Sequence, residues 1–189
     1  PNPVSDLLNI TIENAKTDGS IAIFNTIGQE IQRIQLKERG RIQEQLNLTN
    51  AWGFDFQAGC SGFMFGVEIA QRFVESGKYK KCILVGADMM SSITNYKDRN
   101  TCILFGDAAA AIMLEPQKDS EYGIIDTQMH CDSFGGAINN LNVKRHGSAF
   151  PLTAETELLD EHYVFQEGKK VFVKAVKGMA DVVEEVMVR

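Results

Sequence analysis

The chain has 189 residues and carries 25 acidic against 19 basic side chains, a formal net charge of −6. This balance argues against nucleic-acid binding, and no apolar run approaches the roughly 18 residues that span a bilayer, so neither nucleic acid nor a membrane is expected as a partner. The four cysteines form no C-x-x-C pair, so we expect reduced thiols, a cytoplasmic location and neither a zinc site nor a disulfide scaffold.

The first residues predict a β-hairpin. Leu8, Ile10 and Ile12 alternate with polar residues, and Ile21 and Ile23 do so after an Asp-Gly turn at positions 18 and 19. A charged stretch at 37–41 predicts a linker. We therefore expect a β-rich segment at 1–46 and a separate domain at 47–189, and the chain, which begins at proline, is expected to be a fragment.

The second region begins with signals for a strand, a helix and a strand. Trp52, Phe54 and Phe56 alternate with other residues and predict a strand, which ends in a turn of small residues at 58–62. From Phe63 the apolar spacing becomes helical and continues to Gly77. Cys82–Ala87 is an uninterrupted apolar run, which is typical of a strand buried on both faces. The order predicts a βαβ unit with a right-handed crossover.

The rest of the chain predicts more sheet and one long helix. A surface loop is expected at 91–100, further sheet segments at 101–105 and 108–114, a strand at 122–129 and a loop at 131–159. Residues 171–188 predict an amphipathic helix whose apolar stripe needs a partner. The stripe comprises Phe172, Val176, Met179, Val183 and Met187.

Cys60 is the residue with the clearest chemical potential. It lies between Gly59 and Gly62 where the predicted strand gives way to the predicted helix. Unpaired N–H groups and the helix dipole favour negative charge there, and lowering a thiol pKa from about 8.5 to about 7 raises the thiolate fraction at pH 7 from about 3% to about half. The same N–H groups can hold an oxyanion. A plain alternative remains open, in which Cys60 is a small buried residue at a tight turn.

The remaining candidates carry weaker signals. Cys82 and Cys102 lie in apolar runs and are expected in the core, whereas Cys131 with His130 supplies too few ligands for a metal. Arg99, in a polar loop, is suited to hold a phosphate, although a solvated surface charge is the commoner outcome. The three histidines, His130, His146 and His162, are expected to be exposed.

Several motifs together resemble β-ketoacyl-acyl-carrier-protein synthase III. They are FDFQAGCSGF at 54–63, GAD at 86–88 and FGDAAAA at 105–111, with a loop at 95–101 similar to that family's D-x-x-D-R-x-T. The resemblance implies an α/β, thiolase-like αβαβα fold of which about half is present, preceded by the hairpin-rich segment. It also implies a cytoplasmic homodimer that joins an acyl-CoA primer to malonyl-acyl-carrier protein and starts fatty-acid synthesis.

The resemblance assigns roles to single residues. Cys60 would be the nucleophile that takes the acyl group, and its N–H would contribute to the oxyanion hole. Arg99 would bind the nucleotide end of coenzyme A, Phe105 would line the acyl pocket, and Gly106 with Asp107 would shape the nearby strand turn. No cofactor or metal is implied beyond the coenzyme A thioester, which is a substrate. An acyl-cysteine keeps the thioester activation for the later condensation.

The sequence also departs from the family. The G-N-x-A-like and H-x-A-N-like motifs that supply the malonyl-activating asparagine and histidine do not occur in it. We therefore expect the chain to lack condensing activity. PNP at 1–3, the predicted strand at 8–12 and IFNTIGQEI at 23–31 together make residues 1–36 resemble a type IX secretion sorting domain. A non-catalytic sorting module with a passenger is therefore the alternative function. A cysteine hydrolase is disfavoured because no histidine is placed as its base.

Overall fold

A computed structural model describes residues 9–13, 20–24, 30–35, 48–118, 123–131 and 137–188. It contains two α-helices and seven strands within these ranges. In chain order they are β1 (Asn9–Glu13), β2 (Ser20–Phe24), β3 (Glu30–Gln35), α1 (Gly62–Glu75), β4 (Cys82–Met89), β5 (Asp107–Leu114), β6 (Leu141–Asn142), β7 (Phe165–Gln166) and α2 (Gly168–Met187).

Five strands form one sheet in the order β3-β2-β1-β5-β4. β1 and β2 are antiparallel, with Ile10 opposite Ile23 and Ile12 opposite Ile21, which confirms the predicted hairpin. β1 is also antiparallel to β5, where Ile10 lies opposite Ala111. The predicted turn at 18 and 19, the predicted linker at 37–41 and the predicted boundary between 46 and 47 lie outside the described residues.

The chain divides into two compact units. The first comprises residues 1–87 and 108–125, and the second comprises 88–107 and 126–189. In the first unit the buried apolar residues include Ala70 on α1, Leu84 on β4 and Ala111 on β5. In the second, the N–H of Val164 donates to the carbonyl of Ile93 at 2.8 Å, so backbone pairing between loops helps to hold that unit together.

The predicted helix after Cys60 is confirmed as α1, which ends at Glu75 and is followed by Gly77 with φ +72°. The strand predicted at 82–87 is confirmed as β4. Its expected burial on both faces is wrong, because of its residues only Leu84 is buried. β4 lies at the end of the strand order, and an end strand has a neighbour on one side only.

Three predicted strands are not present in the part of the chain that the structure describes, which excludes Tyr122, the first residue of one of them. Residues 51–58 are irregular, so the predicted βαβ unit is also wrong; the aromatic side chains there contact α1 instead of a sheet. Residues 101–104 form turns, in which the N–H of Leu104 donates to the carbonyl of Thr101 at 3.0 Å, and Phe105 is irregular. Residues 123–129 are irregular, and the N–H of Thr127 there donates to the side chain of Asp126 rather than to a neighbouring strand.

The long helix near the end of the chain is confirmed as α2, which is 20 residues long. Its predicted apolar stripe is exposed along its whole length. Of the helices that the structure describes, none is both long enough and apolar enough to cross a bilayer.

Candidate functional site

Cys60 lies in a single 3-10 turn, Gly59–Ser61, that leads directly into α1. Its side chain is exposed. Gly59 has φ +57°, in the left-handed region that glycine adopts without strain, and the N–H of Gly62 donates to the carbonyl of Gly59. The turn therefore places Cys60 two residues before the first residue of α1.

The start of α1 favours negative charge. Ser61, the N-cap residue, makes no capping hydrogen bond through its side chain, and the first turn contains no acidic residue. A helix leaves its first four N–H groups without partners inside the helix, and the dipole adds partial positive charge at that end. An oxyanion that forms close to this end of α1 is stabilised by this arrangement.

Two glycines hold α1 close to β4 and thereby fix the position of Cys60. A Cβ atom at Gly66 would lie 2.5 Å from Leu84 Cδ1 and 2.9 Å from Phe56 Cζ. A Cβ atom at Gly86 would lie 3.0 Å from Phe63 Cδ2. Helix and strand thus approach at each point through a residue without a side chain, so bulkier residues there would push α1 away from the sheet.

The segment before Cys60 also packs on α1. Trp52 stacks on Phe54 with ring centroids 6.0 Å apart, and both rings make edge contacts with Phe73 on α1. Tyr79 contacts both Trp52 and Phe73. The expected strand before Cys60 is thus replaced by an aromatic cluster, so Cys60 follows an exposed irregular segment and not a buried strand.

The loop that carries Arg99 is ordered by its neighbour Asp98. The carboxylate of Asp98 accepts hydrogen bonds from the backbone N–H of Asn100 at 3.0 Å and from the hydroxyl of Thr101 at 2.9 Å. These bonds lower the pKa of Asp98, the backbone bond most strongly. Thr101 is fully buried, whereas Arg99 is exposed, which leaves its guanidinium accessible to a ligand.

Phe105 and Gly106 lead directly into β5. Phe105 is half-buried and Gly106 is exposed. Next to them, the carboxylate of Asp107 accepts two hydrogen bonds from Ser91, one from its backbone N–H at 2.7 Å and one from its hydroxyl at 2.6 Å. This clamp ties the segment after β4 to the start of β5.

Two other cysteines and one histidine differ in burial from what the sequence predicted. Cys82 and Cys102 are half-buried, short of the core position expected for them; partial burial raises the pKa of the Cys82 thiol. His162 was expected to be exposed and is buried, because its Nδ1 accepts a hydrogen bond from the N–H of Leu159 at 2.8 Å and closes a turn. His130 is exposed as expected and lies 2.8 Å from Glu185 on α2.

Cys60 belongs to the first unit, and Arg99, Phe105 and Gly106 belong to the second. Within the described ranges, no three histidine, cysteine or acidic side chains come together as metal ligands would.

The clamp between Asp107 and Ser91 was not predicted. Its signal in the sequence was an aspartate at the start of one strand and a serine shortly after the preceding strand.

Two families match this chain. Residues 54–133 match the family described as 3-oxoacyl-[acyl-carrier-protein (ACP)] synthase III. Residues 1–52 match the family described as a secretion system C-terminal sorting domain. Both resemblances that the sequence indicated are thereby confirmed.

Curated relatives and solved structures agree with the first match. The chain is 45% identical to β-ketoacyl-[acyl-carrier-protein] synthase III of Chlorobium phaeobacteroides over 148 residues, 78% of this chain and 45% of that protein. It is 47% identical to β-ketoacyl-[acyl-carrier-protein] synthase III 1 of Bacteroides thetaiotaomicron over 146 residues, 77% of this chain and 43% of the relative.

The structure resembles 3-oxoacyl-(acyl carrier protein) synthase III of Pseudomonas aeruginosa with a TM-score of 0.60 and 27% identity, over 78% of this chain and 44% of that one. The corresponding synthase of Aquifex aeolicus gives a TM-score of 0.53 and 28% identity, over 79% of this chain and 44% of that one. These likenesses confirm the predicted α/β, thiolase-like fold class. The chain is thus similar over most of its length to β-ketoacyl-acyl-carrier-protein synthases III, and it spans less than half the length of these relatives.

Proposed function

We propose that Cys60 accepts an acyl group from an acyl-coenzyme A thioester, the first half-reaction of a β-ketoacyl-acyl-carrier-protein synthase III. The observation that carries this proposal is the position of Cys60. It is exposed, it lies in the 3-10 turn that leads into α1, and it is within the residues that match the synthase family. The α/β framework, with α1 closely packed on β4, supports the same proposal.

The proposed acylation is a thioester exchange. The Cys60 thiolate attacks the thioester carbonyl, and the negative charge that develops on its oxygen lies near the N–H groups at the start of α1. The carbon–sulfur bond to coenzyme A then breaks, and coenzyme A leaves as a thiolate that takes up a proton. The product is an acyl-Cys60 thioester, which remains activated for a second nucleophile.

Three residues of the second unit are proposed to handle the substrate. Arg99 binds the nucleotide end of coenzyme A, because it offers an exposed guanidinium on a loop that Asp98 orders. Phe105 lines the acyl pocket. Gly106, with Asp107, shapes the turn into β5, a role that the Asp107 clamp on Ser91 supports.

The second half-reaction in the family is the attack of a carbanion, formed when malonyl-acyl-carrier protein loses carbon dioxide, on the acyl-cysteine. It needs the histidine and asparagine whose motifs this sequence does not contain. We therefore expect this chain alone to be acylated but not to form the carbon–carbon bond. A cytoplasmic location and a homodimer of the complete enzyme belong to the same proposal.

Intact-mass spectrometry after incubation with acetyl-coenzyme A tests the proposal. We expect one acetyl group per chain in the unsubstituted protein and none in Cys60→Ala. Cys131→Ala is the matched control, because Cys131 is the other exposed cysteine of the described residues. It should acquire the acetyl group normally.

Two results would overturn this proposal. One is the absence of any adduct from a chain that circular dichroism shows to be folded. The other is an adduct that persists in Cys60→Ala, which would place the acylation at another residue. Carbon–carbon bond formation from malonyl-acyl-carrier protein would separately refute the expected lack of condensing activity.

A second candidate function, a secretion sorting module, is favoured by the match of residues 1–52 to a sorting domain. β1, β2 and β3 form a consecutive antiparallel arrangement within that match. Expression of a reporter protein fused to residues 1–52 in a host with type IX secretion tests it. Export of the reporter supports the sorting function, and retention in cells that export a known cargo contradicts it.

A further inference from the structure

The strand β5 has an edge that is suited to pairing with another strand. After Asp107 its sequence, AAAAIML, contains no charged residue and no proline, which are features by which proteins usually protect an exposed edge strand. β4 lies next to β5 on its other side. The edge of β5 that faces away from β4 therefore presents main-chain N–H and C=O groups that need partners.

The strand that lies along this edge is β1. It is antiparallel to β5, with Ile10 opposite Ala111 and Thr11 opposite Ala110. Residues 10–12 are all β-branched, and such residues are favoured in strands. On its other side β1 pairs with β2 along its whole length. β1 is thus an internal strand that joins the hairpin to β5.

The two paired strands come from regions that match different families. β1, β2 and β3 lie within residues 1–52, which match the sorting domain, whereas β5 lies within residues 54–133, which match the synthase. The strand order β3-β2-β1-β5-β4 joins the two regions into one sheet. Both regions also contribute to the first compact unit.

We propose that the edge of β5 is a strand-binding surface whose occupant is β1, and that this pairing stabilises the sheet against which α1 packs. Without β1, β5 and β4 would form a sheet of two strands, and two strands alone are only marginally stable in water. α1 contacts β4 at Gly66 and Gly86 and so supports the β4 side of this pair, whereas β1 supports the β5 side. The segment that matches a sorting domain thus contributes to the framework that positions Cys60.

Disulfide cross-linking of the full chain tests the pairing and its register. Residues directly opposite one another in an antiparallel pair have Cα atoms about 4.5–5.5 Å apart, within the range of about 4.4–6.8 Å that disulfides span. Oxidation of the double variant Thr11→Cys, Ala110→Cys should therefore bridge positions 11 and 110 of one chain. Peptide mapping distinguishes this bridge from any that involves the four native cysteines.

The matched control for the cross-link is Thr11→Cys combined with Ala109→Cys. A shift of one residue along a strand moves the side chain to the other face of the sheet, so this pair should not form the bridge.

Proline substitution tests whether the pairing stabilises the sheet. Proline has no N–H group and is excluded from the interior of a sheet, so Thr11→Pro should disrupt the pairing of β1. Trp52 contacts Phe73 on α1, and we expect the urea midpoint of its fluorescence change to fall by roughly 0.5 M. Gln35→Pro, at the last residue of β3, should leave this midpoint unchanged, because β3 is an end strand and end strands tolerate proline.

Four results would overturn the proposal. They are the absence of a bridge between positions 11 and 110, a bridge that forms as readily from position 109, a bridge that links two chains instead of one, and a midpoint that Thr11→Pro lowers no more than Gln35→Pro does. None of these measurements involves acylation of Cys60 or export, so their outcome is separate from that of either proposed function.

Discussion

The substitution Gly66→Ala tests whether close packing of α1 on β4 sets the stability of the first unit. The added Cβ atom would lie 2.5 Å from Leu84 Cδ1, 2.9 Å from Phe56 Cζ and 3.0 Å from Leu84 Cδ2. Carbon atoms in contact prefer about 3.5–4.0 Å. The closest approach is therefore about 1 Å too short, and Leu84 is buried, so it has little room to move away.

Two effects of opposite sign determine how much Gly66→Ala changes the free energy of unfolding. Alanine in place of glycine inside a helix stabilises it by about 1 kcal/mol. Overpacking a well-packed site destabilises by about 1–3 kcal/mol. We expect the clash to win, since three contacts are too short at once. The free energy of unfolding should fall by about 1 kcal/mol.

Gly62→Ala is the matched control in the same helix. Gly62 has helical angles, φ −53° and ψ −46°, and its added Cβ atom would meet no atom within 4 Å. Without a clash, the substitution should stabilise by about 0.4–1 kcal/mol, because alanine restricts the unfolded chain. The two variants should thus differ by about 1.5–2 kcal/mol, with Gly66→Ala the less stable.

Urea denaturation followed by Trp52 fluorescence measures both values. Trp52 is the only tryptophan of the chain, and its ring lies 5.8 Å from that of Phe73 on α1, so its emission reports on the packing of this helix. A Gly66→Ala variant as stable as Gly62→Ala would refute the argument, since it would show that α1 does not need glycine to approach Leu84.

Three further predictions follow from the hydrogen bonds and burial described above. Asp107→Ala removes both acceptors of Ser91, so hydrogen–deuterium exchange at the Ser91 amide should accelerate; an unchanged rate would show that the clamp does not order this segment. The lowered pKa of Asp98 stabilises the folded state above the unfolded value of about 3.9, and this contribution is lost as pH falls through the lower folded pKa. The stability difference between the parent chain and Asp98→Asn should therefore be present at neutral pH and shrink in acid, and a difference that grows in acid would contradict the sign. The raised pKa of Cys82 leaves less thiolate, so iodoacetamide should label the exposed Cys60 before Cys82 when the labelled peptides are followed in time; faster labelling of Cys82 would contradict it.

The sequence predicted the elements whose side chains repeat with a clear period and the turn that carries Cys60. Helices α1 and α2 were found from apolar spacing, and β1 and β2 from alternation, because such periods arise when one face of an element is apolar. The glycines around Cys60 indicated a tight turn before a helix, and the structure has that turn. Local spacing was sufficient in each case because the contacts that define the element lie within a few residues.

Whether an alternating segment forms a strand was decided by its tertiary contacts and not by the alternation itself. Trp52, Phe54 and Phe56 have the pattern of a strand, yet their rings pack around Phe73 and no sheet pairing forms there, because alternation does not specify which partner an aromatic face meets. The burial of His162 likewise depends on a turn that folds its ring back to Leu159. The motif around Cys60 that resembles the synthase family can be recognised from the sequence alone. The contacts at Gly66 and Gly86 that hold α1 against β4 depend on the tertiary structure, because they join residues that are distant along the chain.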